Sequence, residues 1–164
     1  MSTEATRTAY STATGNGFVT KHPLNTTVSA QVQAAGWRFH HIGCATRSMA
    51  QEQLLFYAMG YTLEAEPFVD SVQGVRGCFL IGAGPRIELL EGLEGSSTLR
   101  PWLDAGIRFY HMAYEVPDLD HSLTWVRQQR GRITVQPVPA VAFGGRKICF
   151  AIFRNKVFLE LIEM

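Results

Sequence analysis

Charge is scarce in this sequence. Asp, Glu, Lys and Arg make up 18% of 164 residues, where about a quarter is usual. Either the surface is short of charge or part of it meets another surface. Fifteen basic residues against fourteen acidic ones leave a net charge of +1, which gives no electrostatic footprint for nucleic acid or an anionic membrane. No apolar run approaches the roughly 18 residues of a membrane span. The first thirty residues carry no apolar stretch of the kind that opens a secretory signal, so a cytoplasmic protein is expected. Cysteine is sparse as well. Cys44, Cys78 and Cys149 form an odd set without a CxxC spacing, each inside an apolar run such as CFLIG or KICFAIF. The expectation is three buried free thiols in a reducing compartment, with no companion residue that would make one reactive.

What the chain does have is apolar mass. The apolar fraction of 46% is enough for a core in one ordinary domain, or in two small halves packed as one. Residues 1–36 stand apart: eleven of them are Ser or Thr, and no periodicity runs through them. They read as a mobile N-terminal extension that packs, if anywhere, on a partner.

The rest of the chain repeats itself. FHHIGCAT (39–46) matches FYHMAYEV (109–116), and CFLIGAGPRIELLE (78–91) matches CFAIFRNKVFLELIE (149–163). Helix signals fall between them. Ser48 caps a helix with Ala50, Leu54 and Tyr57 on one face, ended by Gly60. Asp118 caps another with Leu119, Leu123 and Val126, ended by Gly131. Strands are expected near 38–46, 61–69, 74–82 and 85–92, and again near 107–116, 132–138, 146–153 and 156–163. A linker, 93–106, holds one helical turn at Leu99 to Leu103. The fold class is therefore α+β: tandem βαβββ modules, 37–92 and 107–164, forming a curved mixed-sheet cup.

His41 and His111 recur in the first strand of each module, Glu88 and Glu160 in the last. By strand alternation His41 lies with Phe39, Gly43 and Ala45, and His111 with Phe109, Ala113 and Glu115. Two carboxylates and two imidazoles on otherwise apolar faces need a shared partner. A divalent cation satisfies all four. Mixed nitrogen and oxygen donors suit Zn²⁺, Ni²⁺, Co²⁺, Fe²⁺ or Mn²⁺ without choosing among them. A salt-bridged His–Glu pair in each module, without metal, is the competing arrangement.

This doubled βαβββ pattern with His, Glu, His, Glu in strands one, four, five and eight resembles the vicinal oxygen chelate superfamily, over about residues 37–164. HHIG (40–43), QGVRGCFL (73–80), IELLEGL (87–93), YHMAYEVPDLD (110–120), GGRKICF (144–150) and FLELIE (158–163) are most similar to its methylmalonyl-CoA epimerase branch. The ligand order is similar to bacterial glyoxalase I. The resemblance implies one divalent transition metal held by His41, Glu88, His111 and Glu160, with Glu160 or Glu88 also moving a proton during an enolate-type step. It implies a small oxygen-rich substrate, such as an acyl thioester, and a homodimer. A glyoxalase-type lyase and an Fe²⁺ dioxygenase are the enzymatic alternatives, the extra Glu88 counting against the latter. A metal-free drug-binding protein is the alternative from another class.

The epimerase resemblance also implies an acidic residue where this chain has Gly77, which argues against methylmalonyl-CoA epimerase itself and suggests a wider cup. Glu115, about 13 Å along the strand from His111, is far for a substitute. Gln73, Arg86 and Arg146 are candidate substrate contacts, with Arg86 suited to a carboxylate or phosphate. Phe39, Phe79, Phe109 and Phe158 are expected as apolar cup residues. Arg146 and Lys147 follow Gly144-Gly145 in a turn. His40 is expected to point away from His41, and His121 to be exposed. His22 has no assigned role.

Overall fold

The computed structural model describes residues 36–164, so the extension expected over 1–36 lies outside the described residues but for Gly36. Strand β1 (Arg38–Thr46) leads into helix α1 (Met49–Ala58), where the Ser48 hydroxyl accepts the Gln51 N–H as N-cap. Four strands follow: β2 (Thr62–Leu63), β3 (Phe68–Asp70), β4 (Val75–Ile81) and β5 (Ile87–Gly92). The short helix α2 (Arg100–Asp104) joins the halves. The second half runs β6 (Phe109–Val116), α3 (Leu119–Gln128), β7 (Arg132–Pro139), a 3₁₀ turn (Val141–Phe143), β8 (Lys147–Ile152) and β9 (Phe158–Glu163). The Asp118 carboxylate caps α3 by accepting the His121 N–H.

All strands join one mixed sheet in the order β2-β4-β5-β1-β6-β9-β8-β7, with β3 also on β4. The fold is thus α+β. At its centre β1 and β6 are antiparallel; β5 runs parallel to β1 on one side, and β9 parallel to β6 on the other. The ends of the sheet meet. Asp70, at the end of β3 and 1% exposed, accepts hydrogen bonds from the backbone N–H of Gln73, from the Gln73 carboxamide and from the Val141 N–H beyond β7. Burial alone would raise the Asp70 carboxyl; these bonds outweigh it and hold the group below its ordinary range.

The outer face packs on the helices. Phe56 meets Cys44, Tyr61, Leu80 and Leu89, while Leu119, Leu123 and Val126 meet Val116, Cys149 and Leu161. Each such side chain contributes about 1.5–3 kcal/mol by leaving water. The inner face carries Phe79, Phe143, Phe150 and Ile162 in one cluster and Ala45, Val75, Leu90 and Leu99 in another. All three cysteines are buried free thiols.

Three expectations need correction. The strand expected over 61–69 is broken into β2 and β3, since Pro67 has no N–H to give the ladder on β4. On α1, Ala50, Leu54 and Tyr57 face outward, Leu54 being 68% exposed. The same spacing runs through Met49, Gln53 and Phe56, and the Phe56 ring takes the core position. Strand alternation also fails at the start of β1 and of β6. Phe39 pairs with Tyr114 but His41 with Ala113, leaving His40 as an extra residue; Gly43 pairs with His111 but Cys44 with Phe109, leaving Tyr110 extra. These are β-bulges, which re-aim side chains. Phe39 and Phe109 are turned out of the cup, 48% and 58% exposed. His40, expected to point away, is turned in.

Candidate metal centre

The four recurrent residues lie on the four central strands, in two rows of the sheet. Glu88 and His111 flank Gly43 in register; His41 and Glu160 flank Ala113. Small residues between them let the long side chains converge above the sheet. All four are buried, with exposures of 0–4%. One donor atom from each lies within 4.8 Å of the others. His41 Nε2 is 3.0 Å from His111 Nε2, 3.1 Å from Glu88 Oε2 and 3.2 Å from Glu160 Oε2. His111 Nε2 is 3.4 Å from Glu160 Oε2 and 3.7 Å from Glu88 Oε2.

This donor set fits a cation better than it fits ion pairs. Donor–metal bonds of about 2.1 Å place neighbouring donors about 3.0–3.4 Å apart. Each imidazole nitrogen meets both carboxylates and the other imidazole, so the groups do not divide into two hydrogen-bonded pairs. Glu160 Oε2 and His111 Nδ1 are buried without a hydrogen bond among the described residues. In protein stripped of metal, a proton would take the cation's place. Burial pushes the His41 imidazole down, but the charge of Glu88 and close contacts with Glu160 and Glu88 raise it to about 9. Burial likewise pushes Glu160 up, and the two imidazoles hold it well below the ordinary carboxylate range.

His40 is the neighbour that strand alternation missed. Its Nδ1 lies 2.7 Å from Nδ1 of His41, and Arg86 Nη1 lies 2.5 Å from its Nε2. Burial, then the charges of His41 and Arg86, lower His40 to about 4. The ring therefore orients His41 as a neutral partner, as outer-shell groups do at metal sites. Tyr110 is its counterpart in the second module, seventy residues on. Its ring meets His111 edge-on at 4.5 Å between centroids. The repeat itself, FHHI against FYHM, aligns the two.

A cavity of about 460 Å³ opens from the cluster, lined by Glu88 and Glu160 and by residues of both modules. Gln73 and Phe158 line it; Phe79, Arg86, Phe109 and Arg146 do not. Phe79 stands in the wall against His41, with ring centroids 5.4 Å apart. The guanidinium of Arg86 lies 3.9 Å over the Phe79 ring and donates to Glu64 at 2.8 Å, so it is not held free for a substrate anion. Arg146 donates to Glu115 at 2.8 Å and to the Glu163 carbonyl at 3.2 Å. Phe109 is on the opposite face. Lys147 and His121 are exposed, and His22 lies outside the described residues. Gly77 does not widen the cup: a Cβ there would stand 2.6 Å from Leu90 Cδ2 and 2.7 Å from the Phe68 ring, which already fill that place.

The profile of the Glyoxalase/Bleomycin resistance protein/Dioxygenase superfamily matches residues 40–150. No curated protein matches the chain. Among solved structures, a hypothetical protein from Bacillus halodurans C-125 shares 27% identity, with 78% of this chain and 94% of that one covered at a TM-score of 0.65. Methylmalonyl-CoA epimerase from Mycobacterium tuberculosis shares 23%, covering 76% and 86% at a TM-score of 0.63. A variant of the Streptomyces coelicolor methylmalonyl-CoA epimerase, in complex with 2-nitronate-propionyl-CoA, shares 24%, covering 77% and 96% at 0.64. The likeness to the two epimerases is one of fold.

Proposed function

Because this chain belongs to the Glyoxalase/Bleomycin resistance protein/Dioxygenase superfamily, we propose that it is a divalent-metal-dependent enzyme that moves a proton on a small oxygen-rich substrate. The observation that carries this reading is the convergence of His41, Glu88, His111 and Glu160 on one buried point beside the cavity. These four residues are the ligands. A divalent cation held there supplies Lewis-acid stabilisation of negative charge on a substrate oxygen. Ligand type leaves Zn²⁺, Ni²⁺, Co²⁺, Fe²⁺ and Mn²⁺ open.

The chain's own residues supply the rest. Glu160 and Glu88 are the two carboxylates that face the cavity, so one of them takes the proton from carbon beside a substrate carbonyl and returns it. The two imidazoles keep Glu160 ionised. The apolar walls exclude water from the exchanging proton. His40 holds the His41 ring in place from behind.

A second reading, a metal-free binding protein, is favoured by one observation: His41 Nε2 lies 3.1 Å from Glu88 and 3.2 Å from Glu160, so a protonated His41 would balance part of the buried charge. Metal content measured by mass spectrometry on untagged protein separates the two. About one transition metal per chain, lost in Glu88→Ala and His111→Ala, supports the enzyme. No metal after incubation with all five cations sinks it.

The proposal includes a cytoplasmic homodimer. Exposed Leu54, Leu55 and Met59 on and just after α1 support association, and sedimentation equilibrium tests it. Among the described residues no helix is long and apolar enough to cross a membrane.

A further inference from the structure

The cup's lining speaks to the charge and shape of what enters it. One wall is a continuous run of rings. Trp102 lies 5.4 Å from Tyr110 and 5.0 Å from Phe158, and Phe158 stacks on Phe150 at 5.3 Å with planes 12° apart. Tyr110 carries this run to the cluster through its contact with His111. Phe68 and Phe143 line the cavity as well.

No Lys or Arg is among the described residues that line the cavity; its only charged lining groups are Glu88 and Glu160. The nearest guanidinium groups are committed elsewhere, Arg86 to Glu64 and His40, Arg146 to Glu115. Three of the neutral polar side chains of the lining are engaged too. The Gln73 carboxamide donates to Asp70 at 3.1 Å, Thr98 Oγ1 to the Gln73 carbonyl at 2.7 Å and Thr134 Oγ1 to the Phe150 carbonyl at 3.2 Å. The Tyr110 hydroxyl has no hydrogen bond among the described residues and remains a donor. Two carboxylates and one divalent cation sum to zero. A substrate carboxylate or phosphate would therefore enter a cavity of low dielectric with no counter-charge of its own.

We infer that the substrate is an uncharged aromatic molecule, its ring stacked along the Trp102–Phe158 wall and its oxygens toward the four-residue cluster. This rests on the metal-enzyme reading for the oxygens, while the ring and its neutrality rest on the lining alone. Flat rings bury large area against aromatic walls and prefer offset or tilted contacts at these spacings.

The test is titration calorimetry on the full-length, zinc-loaded protein, with metal content measured on the same sample. The probes are 2-hydroxyacetophenone, hydroxyacetone, mandelate and acetyl-CoA. The aromatic hydroxyketone is expected to bind at least tenfold tighter than each of the others. Phe158→Leu, which keeps bulk and removes the ring, should cut its affinity about tenfold and leave hydroxyacetone unchanged. Trp102→Ala should do the same from a part-exposed position. Tighter binding of mandelate or acetyl-CoA, or of hydroxyacetone, overturns the inference. On metal-free protein, acetophenone is compared with benzoate. Loss of the neutral probe's advantage there overturns the inference even in a chain that binds zinc. Its persistence in a chain that binds no zinc supports the lining argument and overturns only the metal reading.

Discussion

The imidazole of His111 lies directly over Gly43 of the neighbouring strand. A methyl group on Gly43 would stand 2.0 Å from Cε1, 2.3 Å from Nδ1 and 2.5 Å from Nε2 of that ring. Gly43 is in register with His111 on one side and Glu88 on the other, so its bare Cα is the floor on which both donors meet. Gly43→Ala must therefore push the His111 ring off the cluster. Overpacking of this kind costs about 1–3 kcal/mol. The expected outcome is a folded protein of lower Tm whose metal affinity has dropped at least tenfold, measured by competition with a chromophoric chelator. Unchanged affinity would mean that His111 is not a ligand.

The same two rows explain why the cluster was legible from sequence. His41 and His111, Glu88 and Glu160 repeat because each module contributes one of each to equivalent strands, and those four strands lie side by side at the centre of the sheet. The bulges were not legible. A bulge shifts strand alternation by one, and nothing in FHHI or FYHM marks the shift, so strict alternation puts Phe39 and Phe109 inside and His40 outside. The inward face of α1 was hidden for another reason: Ala50-Leu54-Tyr57 and Met49-Gln53-Phe56 have the same spacing, and only the packing of Phe56 against Tyr61 and Leu80 decides between them. Trp102 reaches the cup from the inter-module helix, a long-range placement that no local period records.

Glu160 and Glu88 can be told apart by neutral isosteres. Glu160→Gln keeps an oxygen donor and removes the basic oxygen. If Glu160 carries the proton, kcat on an identified substrate falls by about 10²–10⁴-fold while zinc affinity falls much less. Glu88→Gln should then cost mainly metal affinity. The reverse pattern would move the base to Glu88.

Metal-free protein should be most stable near pH 6.5. His41 is raised from 6.5 to about 9, so its contribution is fully present below pH 6.5 and is lost as pH rises through about 9. At 1.36 kcal/mol per unit this is on the order of 3 kcal/mol. His40 is lowered from 6.5 to about 4, so its contribution is present above pH 6.5 and is lost as pH falls through about 4. Denaturant midpoints across pH 4–9 should trace this maximum. The alkaline limb should vanish in zinc-loaded protein, where the cation replaces the His41 proton, and in a His41→Gln variant. A metal-free midpoint that is flat from pH 6.5 to 9 would contradict the buried imidazolium between Glu88 and Glu160.

Gly77 offers the last test, because it sits where the epimerase resemblance places an acid. Restoring one by Gly77→Glu should not create a second proton carrier. The new Cβ would meet Leu90 Cδ2 at 2.6 Å, the Phe68 ring at 2.7 Å and the Leu89 carbonyl at 3.0 Å. Gly77 faces Leu90 across the β4–β5 pair and Phe68 across the β3–β4 pair, so backbone on one side and a ring on the other leave no room to give. A buried carboxylate would add the cost of an unpaired charge to the overpacking. The expected outcome is a Tm lowered by several degrees, with no gain in exchange of a substrate α-proton for deuterium followed by NMR. A variant that keeps its Tm and gains exchange would show that Phe68 can swing aside and that the site tolerates an acid on the far face of the substrate.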